Sequence, residues 1–87
     1  LYYKKPNGKM KIVGDGVEIK VLEEFCILAE TGSFSKASQK LLISQPILTR
    51  HIQKLEQELG YSLFDRSTRM VALNASGALF FPYAQQM

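Results

Sequence analysis

The feature that most constrains the fold is a helix whose two ends are both encoded in residues 44–60. Ser44 can cap the free N–H groups of a first helical turn, and Pro46 lies in that turn, where its missing N–H is not needed. Gly60 suits a left-handed position after the last helical residue. The apolar residues follow steps of four, three and four, which places them on one core-facing stripe: Leu48, Ile52, Leu55 and Leu59.

The opposite side of this helix carries side chains suited to nucleic acid. Such side chains donate hydrogen bonds to base edges or phosphates, and a guanidinium can bind O6 and N7 of a guanine together. The residues are Gln45, Thr49, Arg50, Gln53 and Lys54. The pattern is typical of a recognition helix, and a merely solvated helix face is the alternative.

Two shorter helices are predicted ahead of this one. The spacing of apolar residues predicts the first over about residues 19–30. The second covers residues 36–42, with Ser35 as its N-cap and Phe34 as a hydrophobic staple. Because the second and third helices are joined by a very short turn, the pair forms a helix-turn-helix unit.

Two β-hairpins flank the helices. Alternating apolar and basic residues around a Pro-Asn-Gly turn predict the first over residues 1–13. The second has apolar flanks, residues 61–64 and 70–73, on either side of a polar and basic tip. Because it directly follows a helix-turn-helix, this second hairpin is interpreted as a wing.

The last segment, residues 75–87, is predicted to be a helix capped by Asn74. Pro82 removes one hydrogen bond, to the carbonyl of Ala78, which predicts a bend. An exposed apolar stripe on a helix at the edge of a small domain predicts contact with a partner. The stripe consists of Leu79, Phe80, Tyr83 and Met87.

Composition limits the class of protein. The 87 residues are enough for one small domain with one core. The net charge of +3 is modest, but charges are unevenly placed along the chain. The contrast that matters is between residues 18–30, whose charged residues are mostly acidic, and residues 36–54 and 66–69, whose charged residues are mostly basic. It favours a polyanion as partner, with a solvated charged surface as the alternative. The basic residues concerned are Lys36, Lys40, Arg50, Lys54, Arg66 and Arg69.

Individual titratable residues are assigned structural roles. Cys26, the sole cysteine, excludes an intrachain disulfide and is expected to be a small buried hydrophobe in a reducing, cytoplasmic protein. Glu23 and Glu24 are expected to be solvated, and His51 to be a surface or half-buried helix residue. No catalytic constellation or phosphate-binding loop is recognisable, so no enzymatic activity, cofactor or metal is expected. No apolar segment approaches the ~18 residues of a membrane span.

Residues 19–87 strongly resemble the N-terminal winged helix-turn-helix domain of LysR-type transcriptional regulators. The resemblance is carried, in the family's order and spacing, by Phe25 and by residues 29–37, 44–52, 55–60, 63–66 and 71–77. The expected fold is mainly α with small β. Its parts are an extra N-terminal β-hairpin over residues 1–16, a winged helix-turn-helix over 17–73, and the start of a linker and dimerisation helix over 74–87.

The resemblance implies roles for individual residues. The helix over residues 44–59 would read bases in a major groove through Gln45, Pro46, Thr49 and Arg50. Phosphates would be held by Ser33, Ser35, Lys36, Gln53 and Arg66. The wing, residues 65–70, would reach a minor groove through Arg69. Paired linker helices of a homodimer would present two recognition helices to the half-sites of a pseudo-palindrome.

The expected function is therefore sequence-specific binding of double-stranded DNA by a transcriptional regulator of bacterial or archaeal type. The alternative is a winged-helix protein-interaction module without a DNA role. Ser38 and Asn74 depart from the family's usual Ala and Thr but keep the small or capping role. The N-terminal hairpin resembles the start of ModE-type molybdate regulators. A small-molecule effector is expected only if the native chain has a further domain.

Overall fold

The computed structural model describes residues 19–66 and 70–86 in full and the backbone of residues 2–4 and 10–12. Its elements, in chain order, are β1 (Tyr2–Lys4), β2 (Met10–Ile12), α1 (Ile19–Thr31), α2 (Phe34–Leu41), α3 (Gln45–Leu59), β3 (Phe64–Asp65), β4 (Ala72–Leu73) and α4 (Ala75–Gln85). This order confirms the expected fold class. The domain bounds expected at residues 16 and 73 stay predictions.

The ends of α3 agree with the sequence analysis. The Oγ of Ser44 accepts a hydrogen bond from the backbone N–H of Ile47 at 3.3 Å. Gly60 has φ of 87°, and its N–H donates to the carbonyl of Glu56 at 2.8 Å. Ser44 thus satisfies one of the free donors of the first turn, and a glycine takes up the left-handed position that ends the helix.

The start of α2 differs from the prediction. Ser33, not Ser35, is the N-cap: its backbone is extended, and its Oγ accepts from the N–H of Lys36 at 3.1 Å. Ser35 is already inside the first helical turn, as is Phe34. Two serines two residues apart are equally good caps by type, so the choice depends on where the backbone leaves the α1–α2 turn.

The hydrophobic core is centred on Phe25 of α1. Its ring packs edge to face against Phe64 and Phe80 at centroid distances of 5.5 Å each, and against Phe81 at 6.1 Å. Aromatic pairs in this arrangement contribute about 0.5–1.5 kcal/mol beyond the area they bury. The predicted α3 stripe is fully part of this core: Leu48, Ile52, Leu55 and Leu59.

The stripe predicted on α4 is partly wrong. Phe80 is 3% exposed and belongs to the core of its own chain, so it is not available to a partner. Phe80 and Ala84 are four residues apart and face α1, whereas Leu79 and Tyr83, also four apart, lie on the outer side and are 75% and 49% exposed. Met87 lies outside the described residues.

Two small antiparallel sheets complete the fold. β1 pairs with β2, with Tyr3 opposite Lys11, and β3 pairs with β4, with Phe64 opposite Leu73. The base of the wing is tied to the helices, because the N–H of Val71 donates to the carbonyl of Gly32 at 3.0 Å. In the described part of the chain, no helix is long and apolar enough to cross a bilayer.

The start of α4 is docked closely on the wing. Asn74 caps the helix through a 2.8 Å hydrogen bond from the N–H of Gly77, as predicted. A Cβ atom at Gly77 would lie 2.1 Å from the carbonyl oxygen of Leu63. A glycine is therefore required for this approach of helix to strand. Pro82 lies inside α4, which continues to Gln85, and the bend there stays a prediction.

Candidate nucleic-acid interface

The outer face of α3 carries four of the five predicted base-contacting residues. Burying the apolar stripe turns the polar side of the helix to solvent, so that Gln45, Pro46 and Arg50 are exposed and Thr49 is half-buried. The fifth residue, Arg69, lies outside the described residues. The face is a convex helix surface with the chemistry of a groove-reading element.

The first turn of α2 supplies a second set of polar groups. Ser35 and Lys36 are exposed. Ser33 is half-buried, and its Oγ is engaged as the cap, although a hydroxyl that accepts one hydrogen bond can still donate another. Unpaired N–H groups and the partial positive charge of a helix N-terminus favour an anion at this position.

Arg66 is held in place by three elements. Its guanidinium NH2 donates to Oε1 of Glu56 on α3 at 3.3 Å, and it lies over the rings of Phe34 and Phe64 at 5.9 and 6.0 Å. The pair itself is partly exposed and contributes about 0–1 kcal/mol to stability. Its main effect is to hold a guanidinium, which has several donors, at the junction of α2, α3 and β3.

Glu56 was not singled out from the sequence, yet it joins α3 to the wing. Its Oε2 accepts from the N–H of Leu63 at 2.7 Å and from Oγ of Ser62 at 3.2 Å, while its Oε1 accepts from Arg66. The sequence feature that could have indicated this role is a glutamate near the end of α3, ten residues ahead of Arg66.

The expectation that Glu24 is solvated is wrong. Glu24 is 1% exposed, and its Oε1 lies 2.8 Å from Nδ1 of His51 on α3. Glu24 precedes Leu28 by four residues and follows Val21 by three, so it lies on the core side of α1. His51 is half-buried, which matches its prediction, and Glu23 is exposed, as expected.

Cys26 is half-buried rather than buried, at the edge of the core. Burial raises the pKa of its thiol above the ordinary value, and the carboxylates of Glu30 and Glu23 raise this pKa further. Because the thiolate is the reactive form, a raised pKa keeps the thiol inert at neutral pH. Within the described ranges, no three His, Cys, Asp or Glu side chains lie together as metal ligands would.

Ile47 was also missed by the sequence analysis. It is 42% exposed on the first turns of α3, whereas its neighbour Leu48 is fully buried. An exposed β-branched residue beside Pro46 and Arg50 gives this end of the helix an apolar surface as well as a charged one. Its exposure could have been predicted from the sequence, because Ile47 does not share the spacing of the buried stripe on α3.

These features define the class of the protein: a helix-turn-helix with a wing, whose third helix turns a polar and basic face to solvent. Residues 19–78 match the family described as bacterial regulatory helix-turn-helix protein, lysR family. The chain therefore belongs to the LysR family. The N-terminal hairpin lies outside the matched residues, and its resemblance to ModE-type regulators stays a prediction.

Among its relatives, the chain is similar to the HTH-type transcriptional regulator TfdT of Cupriavidus pinatubonensis, with 46% identity over 71 residues, 82% of this chain and 31% of TfdT. It is similar to the HTH-type transcriptional regulator BenM of Acinetobacter baylyi, with 44% identity over 68 residues, 78% of this chain and 22% of BenM. The chain thus spans less than a third of the length of these relatives.

Solved structures of DNA complexes share the fold. The crystal structure of the BenM_DBD/benA site 1 DNA complex has a TM-score of 0.78 and 43% identity, covering 80% of this chain and 79% of that chain. The structure of Vibrio fischeri DarR in complex with DNA has a TM-score of 0.78 and 38% identity, covering 80% of this chain and 24% of that chain.

Proposed function

We propose that this chain is the DNA-binding part of a transcriptional regulator, and that α3 enters the major groove of double-stranded DNA. The observation that carries the proposal is the exposure of Gln45, Pro46 and Arg50 on the side of α3 opposite its buried stripe. The DNA complexes of BenM_DBD and DarR, whose folds match this one, support the same function for this chain.

Base recognition is assigned to the first half of α3. The Arg50 guanidinium binds O6 and N7 of a guanine, and the Gln45 amide suits N6 and N7 of an adenine. Thr49 is half-buried and offers a hydroxyl and a methyl group. Pro46 and Ile47 present apolar surface to the methyl group of a thymine. Together these side chains offer contacts to guanine, adenine and thymine in the major groove.

Phosphate contacts hold the domain at the angle that α3 needs. We assign them to the first turn of α2, through Ser33, Ser35 and Lys36, to Gln53 on α3, and to Arg66 at the base of the wing. Arg66 is already oriented by Glu56 and two aromatic rings, so little side-chain entropy is lost on binding. Arg69 is assigned to a minor groove.

The functional unit is a homodimer in this proposal. Leu79 and Tyr83 form an exposed apolar strip on α4, and Met87 extends it along the sequence. A strip of this kind is covered when two α4 helices pack against each other with two-fold symmetry. The two copies of α3 then meet half-sites about one helical turn apart on the same side of the duplex.

The domain acts by position and not by covalent chemistry, so no enzymatic activity is assigned to it. It acts in the cytoplasm, where bacterial DNA is accessible. A small-molecule effector is assigned only if the native protein has a further domain.

The test of DNA binding is the salt dependence of affinity for a labelled duplex, measured by fluorescence anisotropy. Each neutralised phosphate adds about 0.9 to the slope of log K against log salt. Lys36→Ala, which removes one phosphate contact, reduces the magnitude of this slope by about 1, so that affinity depends less on salt. Lys20→Ala removes an equal charge from exposed Lys20 on α1 and leaves the slope unchanged.

The competing function, a protein-interaction module, gives a different result. Such a module shows no binding to duplex DNA at low salt, because it has no need to neutralise phosphates. Absence of binding in about 50 mM salt, where electrostatic contacts are least screened, would overturn the proposed function.

A further inference from the structure

We propose that the Glu24–His51 pair fixes the rotation of α3 about its own axis, and thereby the angle at which Arg50 meets a base pair. Glu24 and His51 are positioning residues in this role, since neither is assigned a contact with DNA. The proposal rests on the DNA-binding function proposed above. It adds a determinant of specificity in the interior of the domain.

Burying the Glu24–His51 pair is energetically unfavourable, so a contribution to stability does not explain its presence in the core. Glu24 lies among Leu22, Phe25 and Leu28 with 1% of its surface exposed. Its Oε2 has no hydrogen-bond partner in residues 19–66 or 70–86. A buried carboxylate with one unpaired oxygen is unfavourable, and an apolar pair of similar size is often at least as stable. A directional role would explain why polar groups occupy this part of the core.

The hydrophobic core joins α1 to α3 without a preferred direction. Phe25 on α1 and Ile52 on α3 both belong to this core, and apolar contacts depend only weakly on orientation. The bond between Glu24 and His51 is short, at 2.8 Å, and joins two helices far apart in sequence. Because a carboxylate only accepts, Nδ1 of the imidazole donates, and such a bond weakens when the donor is turned away.

The position of His51 transmits this restraint to the DNA-reading face. His51 directly follows Arg50 on α3, so any rotation of the helix moves both side chains through the same angle. A rotation of about 10° at a radius of about 6 Å displaces a side-chain atom by about 1 Å. That displacement is enough to weaken a bidentate contact, which requires two donors and two acceptors to be aligned at once.

The decisive variant removes the directional hydrogen bond between residues 24 and 51 and keeps the packing of the core. Glu24→Leu/His51→Leu replaces the pair by apolar side chains, and its melting temperature is expected to equal or exceed that of the native chain. Affinity for a random duplex is expected to stay within about twofold, because the charged phosphate contacts, Lys36 and Arg66, lie outside α3. Affinity for the duplex that the native protein prefers is expected to fall about tenfold. The specificity ratio, which is affinity for the preferred duplex over affinity for a random one, is then expected to fall by about five- to twentyfold.

Conservative variants serve as matched controls. His51→Asn keeps a donor near the position of Nδ1, and Glu24→Gln keeps an accepting oxygen, so both are expected to retain the native specificity ratio within about threefold. A purely structural pair would affect melting temperature in all variants and leave the specificity ratio unchanged. If the apolar double variant does not fold, Glu24→Met/His51→Leu takes its place, because the unbranched methionine side chain is close to glutamate in length and adapts to the space.

A measurement without DNA separates this proposal from the proposed function. Residual dipolar couplings of backbone amides report the orientation of α3 relative to α1 in the free protein. The apolar double variant is expected to change the couplings of α3 and not those within α1. Unchanged couplings together with an unchanged specificity ratio would overturn the positioning role. Native protein that fails to bind DNA would overturn the proposed function, and the couplings would still decide whether the pair orients α3.

Discussion

At the residue scale, we propose that base recognition depends most on Arg50, an exposed side chain of α3. Arg50→Ala is expected to reduce affinity for the preferred duplex by about 1–3 kcal/mol and to relax the preference at one base pair. Competition binding against duplexes changed at each position measures both effects. Lys54→Ala, an exposed charge on the same helix, is the control and is expected to weaken all sequences equally. A uniform loss for Arg50→Ala would reduce Arg50 to a phosphate contact.

Ile47 gives a second prediction at this scale. If its side chain contacts a thymine methyl group, replacing that thymine by uracil, which lacks the methyl, is expected to weaken native binding by about 0.8 kcal/mol, the value of one buried methylene. Ile47→Ala is expected to weaken binding to the thymine duplex and to abolish the difference between thymine and uracil. A thymine preference that survives in the variant would remove Ile47 from the reading surface.

Some residue positions could be predicted from the sequence and others could not. The exposure of Gln45 and Arg50 could be predicted from the spacing of the buried stripe alone. Once one face of a helix is assigned to the core, the helical period determines which residues face solvent. The burial of Glu24 was missed although its spacing places it on the core side of α1, because a carboxyl group is expected in solvent unless a partner such as His51 is known to lie near it. Phe80 was assigned to the wrong side because adjacent aromatic residues on α4 leave the inward direction ambiguous.

At the scale of elements, the start of α2 distinguishes the two candidate caps. Ser33→Ala removes the acceptor for the N–H of Lys36 and is expected to lower the free energy of unfolding by about 1 kcal/mol. Ser35→Ala, at an exposed position inside the helix, is expected to change it by less than about 0.5 kcal/mol. Chemical denaturation measures both variants. A larger loss for Ser35→Ala than for Ser33→Ala would instead support Ser35 as the N-cap, as predicted from the sequence.

The contact between α4 and the wing is tested at Gly77. Alanine is a better helix former than glycine by about 1 kcal/mol, but the added Cβ would lie 2.1 Å from a backbone oxygen of Leu63 that cannot move aside like a side chain. The clash outweighs propensity, and Gly77→Ala is expected to destabilise the fold by about 1–3 kcal/mol in thermal denaturation. Ser76→Ala is the control. A stabilised Gly77→Ala variant would contradict the close docking.

Elements themselves were largely predictable here because their ends carry local signals. Ser44 and Gly60 bound α3, and Asn74 begins α4, through interactions within a few residues of each helix end. The contacts between elements were not predictable in the same way. Glu56 joins α3 to Leu63 and Arg66 across a turn, and no pattern within a single helix encodes that junction.

At the scale of the whole molecule, the structure separates a scaffold from two surfaces. The core around Phe25 fixes the position of α3, which we propose enters the major groove, while Leu79 and Tyr83 form an exposed apolar strip on α4. Recognition of two half-sites requires both surfaces together, because one copy of α3 covers only one half-site. The central claim is therefore that a dimer reads an inverted repeat.

The measurement that tests this claim most directly is selection of the purified chain against a pool of random duplexes, followed by sequencing of the retained DNA. A dimer is expected to enrich an inverted repeat whose half-sites are centred about 10 base pairs apart. Retention of DNA with no enriched sequence would contradict the claim, since α3 would then contact the backbone without reading bases.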